Sequence, residues 1–195
     1  MPPLLTFAFA LAGYYALHSL LADHAVKTRL QTFLPFRYYR LFFNALSIGL
    51  LVPLYRFYAA LPPEKLSDFM PLTVAGWVLF ILGVGWLLAA MSGYDAGEFT
   101  GIYQWKHNAP PRHTALKTTG LNGIVRHPLY LGTFLIAWGL FGIRPEMRIL
   151  VIAVVTSLYL IVGIRLEEKK LVREFGEAYR AYQKSVPMLF PFKGF

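Results

Sequence analysis

The amino-acid sequence predicts an all-α integral membrane protein, with about five transmembrane helices and a C-terminal amphipathic helix on the cytoplasmic side. Three observations carry this expectation. Of the 195 residues, 56% are hydrophobic and only 15% charged, whereas soluble domains carry about 25% charged residues. The apolar residues fall in runs long enough for helices to cross the bilayer, which takes roughly 20 residues. The basic residues, responsible for a formal net charge of +9, collect between these runs, as topogenic charge does, which argues against a nucleic-acid groove. At this length a single membrane domain over 1–195 is expected. There is no cysteine, which excludes disulfides, thiolate metal sites and a cysteine nucleophile.

The first apolar run, 3–22, follows Met1-Pro2-Pro3, which lacks the positive start of a signal peptide, so it reads as a retained span. A second run, 41–61, contains Pro53 and Arg56 near its far end. A third, 71–92, offers Gly76, Gly83 and Gly85 as close-packing positions. The long apolar stretch 129–164 is interrupted by Arg144, Pro145, Glu146 and Arg148, so it divides into helices 129–143 and 148–164 around a tight turn. Both are short for a span, which calls for a thinned bilayer or burial against neighbours. From Val172 the apolar positions Phe175, Tyr179, Tyr182 and Val186 recur at three- and four-residue steps, one face of an amphipathic helix. Lysine and arginine crowd the 23–40 loop, the 93–128 loop and the tail. The positive-inside rule then puts the N-terminus outside and these segments in the cytoplasm.

The 93–128 loop is long and rich in polar side chains, among them Asp95, Glu98, Gln104, His107, His113, Asn122, Arg126 and His127. Loops of this length are functional or disordered, and its glycines and aromatics favour an ordered one. Arg126-His127 precedes Pro128, a residue suited to the first helical turn, so positive charge gathers where a helix start already attracts anions. A carboxylate or phosphate could dock there; alternatively Arg126 is a topogenic anchor and Tyr130 part of the aromatic belt. An antiparallel hairpin brings Arg165, Glu167 and Glu168, which leave the fifth span, to the same face. The alternative for these acids is a continuing helix with pairs to Lys169, Lys170 and Arg173. His18, His24, His107, His113 and His127 form no zinc-type spacing, and no phosphate loop, dinucleotide loop or serine elbow is present. No metal site is expected; a bis-histidine haem, for instance on His18 and a loop histidine, is the redox alternative.

Several of these motifs occur in a familiar order. Gly120-(x)5-Arg126-His127-Pro128-Leu129-Tyr130, a helical hairpin, Glu167-Glu168-(x)2-Leu171, Phe175-Gly176-(x)2-Tyr179-(x)2-Tyr182 and Val186-Pro187 with Pro191 resemble one superfamily. It is that of the isoprenylcysteine carboxyl methyltransferases and phospholipid N-methyltransferases, integral membrane enzymes that use S-adenosylmethionine. His18-Ser19-Leu20, Tyr39-Arg40 and Glu98-Phe99-Thr100-Gly101-Ile102-Tyr103-Gln104 resemble its NnrU and methanethiol S-methyltransferase branch. The resemblance implies a cofactor pocket over the cytoplasmic ends of the last two spans, lined by His113, Leu116, Gly120, Arg126, His127, Pro128, Tyr130 and Glu168, with Gln104 contributing. Arg165, Glu167 and His127 would serve the acceptor and its proton. On this view 1–92 is a three-span scaffold, and 93–195 holds the cofactor-binding loop, hairpin and C-terminal helix. The expected acceptor is small or lipophilic and reaches the site through the bilayer. A thiol is favoured, with a prenylcysteine carboxylate or a lipid amine as alternatives. Two departures bear on this choice: Asn122 stands where relatives often have tyrosine, and Gly163 where the prenylcysteine branch has arginine. The alternative of another class is a non-catalytic or haem-binding NnrU-type membrane protein. The expected location is a bacterial inner membrane, without nucleic-acid partners.

Overall fold

The computed structural model describes residues 2–110 and 115–192. In chain order these form α1 (Pro3–Ala22), α2 (His24–Leu30), α3 (Phe36–Ala60), α4 (Met70–Met91), α5 (Ala96–Thr100), α6 (Ile102–His107), α7 (Pro128–Ile143), α8 (Met147–Phe175) and α9 (Glu177–Ser185). A single 3-10 turn, Gly120–Gly123, precedes α7. The molecule is an all-α membrane protein. Helices α1, α3, α4 and α8 are long and apolar enough to cross a bilayer, and α7 is apolar but only 16 residues long. Their outward faces are apolar, as lipid contact requires: Ile48, Val52 and Tyr55 on α3 and Trp77, Ile81 and Leu82 on α4 are at least half exposed.

The expected spans correspond to these helices, but several ends move. α3 begins at Phe36, ahead of the hydropathic run, and continues through Pro53. α8 continues past Ile164 to Phe175, because Arg165 to Arg173 are charged yet strong helix formers. It stops at Gly176, whose φ of 56° favours a residue without a β-carbon. The amphipathic helix read as starting at Val172 is therefore two pieces: Val172 and Phe175 complete α8, and α9 begins at Glu177. Glu167 and Glu168 accordingly lie within a helix that continues past them, as the continuing-helix alternative has it.

The chain packs as two compact units. The first comprises α1, α2, α3, α5 and α6. Asp23 caps α2 through Oδ1, which accepts from the backbone N–H of Ala25 at 2.9 Å. Leu21, Tyr39 and Phe43 form a small core, and the Tyr39 hydroxyl donates to the Leu21 carbonyl at 2.6 Å. His18 on α1 faces α3, with Nδ1 3.1 Å from the Ser47 hydroxyl. The short helices α5 and α6 dock on α3 through Asn44, whose Nδ2 donates to the Thr100 carbonyl at 2.8 Å. Between them Gly101 has φ 94° and packs against Arg40, so a side chain there would be both strained and obstructed.

The second unit comprises α4, α7, α8 and α9. Glycines let α4 and α7 touch backbone to backbone: Gly76 meets Gly142, Phe80 meets Gly139, Gly83 meets Leu135 and Ile136, and Leu87 meets Gly132. The pairs advance in opposite directions, so the helices are antiparallel. Burial of this short helix against α4 offsets its limited length. Gly85, expected to pack likewise, has open space around it. α8 returns antiparallel along α7, with Trp138 Nε1 donating to Ser157 Oγ at 3.0 Å and Tyr130 lying over Gly163. At the turn, buried Glu146 accepts from Arg148 Nε at 2.7 Å and from Arg144 Nη2 at 2.7 Å. The Met147 N–H donates to the Glu64 carbonyl at 2.9 Å, which ties the segment before α4 to this turn.

Candidate functional site

At the opposite end of the α7–α8 hairpin, four charged side chains converge. His127 sits at the N-cap of α7, where Pro128 occupies the first turn without needing an N–H partner. Arg126 precedes it at a bend, and Glu167 and Glu168 come from α8 beyond Ile164, where the apolar, membrane-spanning part of that helix has ended. The 3-10 turn opens on Gly120 at φ 63° and aims this segment at α8 and α9.

Glu168 is the hub. Its Oε1 accepts from Arg126 Nε at 2.7 Å, from His127 Nε2 at 3.1 Å and from the Tyr179 hydroxyl at 3.4 Å; its Oε2 accepts from Gln183 Nε2 at 2.9 Å. Burial opposes its charge, but the donors of His127 and Arg126 outweigh burial and bring its pKa down to about 2. Arg126 also donates through Nη1 to the carbonyls of Gln183 at 3.0 Å and Val186 at 2.5 Å. Its Nη2 has no hydrogen-bond partner among the described residues.

His127 is nearly sealed, with 3% of its side chain exposed, between the two glutamates. Nδ1 lies 3.6 Å from Glu167 Oε2, an ionic contact beyond ordinary hydrogen-bond length. Desolvation works against the imidazolium, but the bonds and charges of Glu167 and Glu168 prevail and raise its pKa above the usual value. Glu167 differs from Glu168 in being accessible, with 43% of its side chain exposed. Its pKa is nonetheless lowered, since His127 and Tyr130 together overcome desolvation. Tyr179 is buried, and desolvation beside Glu168 pushes its hydroxyl far up, so it remains a donor.

The chain after α9 locks this arrangement. The backbone N–H of Arg126 donates to the Pro187 carbonyl at 2.9 Å and that of His127 to the Met188 carbonyl at 3.2 Å. Leu189 then enters a core with Val125, Leu131 and Ile164.

The structure thus brings together Arg126, His127, Pro128, Tyr130, Glu167 and Glu168. Arg165 is exposed on α8, without a salt bridge among the described residues. Leu116 is half-buried ahead of the 3-10 turn. Gln104 belongs to the other compact unit. His113 lies outside the described residues. Sequence reading missed Gln183 and the role of Tyr179, which it placed on an apolar face. The available signal was their spacing of four on one helix, which puts a hydroxyl and an amide on the same side.

The fold and this cluster define a helical membrane protein with a buried acid–base centre tied over by its tail. The chain belongs to the family described as protein of unknown function DUF1295, which matches residues 21–186. It is similar to methanethiol S-methyltransferase of Pseudomonas deceptionensis, 41% identical over 118 residues, 58% of this chain and 44% of that protein. Similarity to methanethiol S-methyltransferase 2 of Bradyrhizobium diazoefficiens is 30% over 189 residues, 89% of this chain and 68% of that one. Protein-S-isoprenylcysteine O-methyltransferase of Schizosaccharomyces pombe is 30% identical over 131 residues, covering 66% and 54%. The chain spans about half the length of the first curated relatives it matches. No solved structure matches it.

Proposed function

We propose that this chain is an S-adenosylmethionine-dependent membrane methyltransferase that methylates a small thiol at the α7–α8 cluster. The observation that carries the reading is a charged cluster with binding capacity to spare: Glu167 Oε2, in ionic contact with His127 Nδ1 at 3.6 Å, accepts no hydrogen bond, and Arg126 Nη2 is unpaired among the described residues. Relatives named methanethiol S-methyltransferases support the thiol.

The residues present fit the cofactor. Bound, S-adenosylmethionine supplies a methyl group on a positively charged sulfur. Arg126 Nη2 would hold its carboxylate, while Nε and Nη1 keep the guanidinium fixed against Glu168 and the tail. Gly120, Leu116, Pro128, Tyr130 and His113 complete the proposed cofactor set. Glu167 or His127 would assist in taking the thiol proton, and His127 also holds the Glu167 carboxylate in place. A free thiol, with pKa about 8.5, needs such help. Arg165 would face the acceptor. Tyr130 already covers Gly163, where a long arginine would displace it; this favours a small acceptor over a prenylcysteine. The cluster faces the cytoplasm of a bacterial inner membrane, with the N-terminus outside, as the basic loops require.

The test is labelled methyl transfer by the purified full chain from S-adenosylmethionine to methanethiol, a prenylcysteine analogue and phosphatidylethanolamine. The proposal expects the volatile thioether as the main product. Transfer only to prenylcysteine or lipid would overturn the thiol, and a Soret band with no cofactor affinity would overturn the enzyme.

A further inference from the structure

Glu167 Oε2 is not alone in the unit of α4, α7, α8 and α9. The indole nitrogen of Trp86, on α4, is also buried there with no hydrogen-bond partner among the described residues. Trp86 stands three residues after Gly83, where α4 meets α7, so it shares the face turned to that helix. It packs against the buried core of Val125, Leu131, Ile164 and Leu189.

An indole N–H can only donate, and leaving it buried without an acceptor is costly. The half-buried indole of Trp138 shows the ordinary solution, with Nε1 donating to Ser157 Oγ at 3.0 Å. Water is a poor substitute at Trp86, because a buried water needs two to four polar partners and the core there is apolar. Tyr130 links that core to the charged cluster. It packs on the same four residues as Trp86, its ring meets that of His127 edge-on at 5.4 Å, and its hydroxyl donates to the Glu167 carboxylate. A donor and an acceptor with capacity to spare therefore flank Tyr130.

A thiol complements both, since its S–H donates and its sulfur accepts. A carboxylate has no proton for Glu167, and an ammonium has no lone pair for the indole. An alcohol has both capacities, but its oxygen costs more than sulfur to bring among apolar side chains. We propose that Trp86 is a specificity-determining residue of the transfer reaction: its indole N–H donates to the sulfur of the acceptor thiol while Glu167 Oε2 accepts from the S–H. This rests on the thiol reading of the cluster. The S–H proton passes to the Glu167–His127 pair, and the sulfur keeps the bonding electrons. Those electrons form the new bond to the methyl carbon as the carbon–sulfur bond of the sulfonium breaks, leaving a thioether and S-adenosylhomocysteine. The indole bond is charge-assisted only while the acceptor sulfur is anionic, so it favours the thiolate over both the thiol and the product.

The test combines a spectrum with a pH profile. The full chain in detergent, labelled with nitrogen-15 at tryptophan, gives one indole N–H signal for each of its 4 tryptophans; that of Trp86 is the one lost in Trp86→Phe. Saturating methanethiol should move the Trp86 signal downfield and leave those of Trp77 and Trp105 in place. Trp86→Phe, which keeps a ring and removes the N–H, should lower kcat with methanethiol about tenfold at neutral pH. It should also raise the pKa of the acidic limb of kcat by about one unit, with the affinity for S-adenosylmethionine unchanged. A packing role alone would lower thermal stability without moving that limb. A wild-type Trp86 signal unmoved by methanethiol overturns the proposal, as does an unmoved limb in Trp86→Phe. The wild-type titration remains decisive should Trp86→Phe fail to fold, with the signal assigned by elimination from Trp77→Phe, Trp105→Phe and Trp138→Phe. Because the signal is read without turnover, its movement in a chain that transfers no methyl group upholds the contact and overturns the transfer reading. Turnover with an unmoved signal overturns the contact alone.

Discussion

Replacing Glu168 with glutamine keeps the shape of the hub and removes its charge. Four donors converge on that carboxylate: Arg126 Nε, His127 Nε2, the Tyr179 hydroxyl and Gln183 Nε2. A glutamine can accept through only one oxygen, and its own NH₂ would then face a donor. Arg126 and Glu168 are 9% and 14% exposed, so solvent compensates little. Breaking a buried pair from one side costs about 3–5 kcal/mol; with a polar isostere in place, about 2–4 kcal/mol is expected. The loss falls where the cluster is the main tie, on α9 and the following strap. Hydrogen exchange is therefore the assay: amides of α9 (Glu177–Ser185) should open on the order of 30- to 1,000-fold more often. Glu177→Gln provides the contrast on the same helix. It breaks the Arg180–Glu177 pair of 2.6 Å, in which the side chains are 57% and 83% exposed, and such surface pairs contribute about 0–1 kcal/mol. Unchanged α9 protection in Glu168→Gln, or equal effects of the two variants, would refute the hub.

Three further outcomes are expected. Gly139→Ala should destabilise the second unit by about 1–3 kcal/mol, since the new Cβ would lie 2.5 Å from the Phe80 backbone nitrogen, whereas Gly85→Ala meets nothing within 4 Å; thermal unfolding in detergent separates the two. His127 has a raised pKa in the folded protein, so its ion pairs stabilise fully below its ordinary value of 6.5 and are lost as pH rises through the higher folded value. Tail protection, corrected for intrinsic exchange, should accordingly fall on the alkaline side in the wild type and stay flat in His127→Gln. Arg126→Ala should lose cofactor binding and α9 protection together while α4, α7 and α8 stay helical by circular dichroism; cofactor binding retained at wild-type affinity would contradict the docking role of Nη2.

How much of this was legible in the sequence depends on the kind of signal. Long apolar runs locate spans well, because hydrocarbon leaves a helix few alternatives. They locate ends poorly, because backbone hydrogen bonding continues where hydropathy stops. α8 passes through Arg165 to Arg173 for that reason, and Gly176 rather than the charge boundary terminates it. The convergence of Arg126 and His127 with Glu167 and Glu168 followed from a short turn and antiparallel geometry. The hydrogen bonds from Tyr179 and Gln183 did not, because they depend on the break at Gly176 that re-aims α9. Small size within an apolar run also marked Gly76, Gly83 and Gly85 alike, yet only facing helices decide which glycines are needed, and a Cβ at Gly85 would meet nothing within 4 Å. Arg40, Glu98 and Gln104 stood out in the sequence, but the cavity they line did not, since it depends on how α5 and α6 fold back on α3 after Gly101.

The central claim is that S-adenosylmethionine is held at the α7–α8 cluster. Ultraviolet cross-linking of the labelled cofactor to the full chain, followed by peptide mapping, tests it most directly. The account predicts label on peptides carrying Arg126 to Tyr130 or Glu167 to Gln183, competed away by excess unlabelled cofactor and lost in Arg126→Ala. Competed label confined to α1, α2 and α3, or none at all, would contradict it.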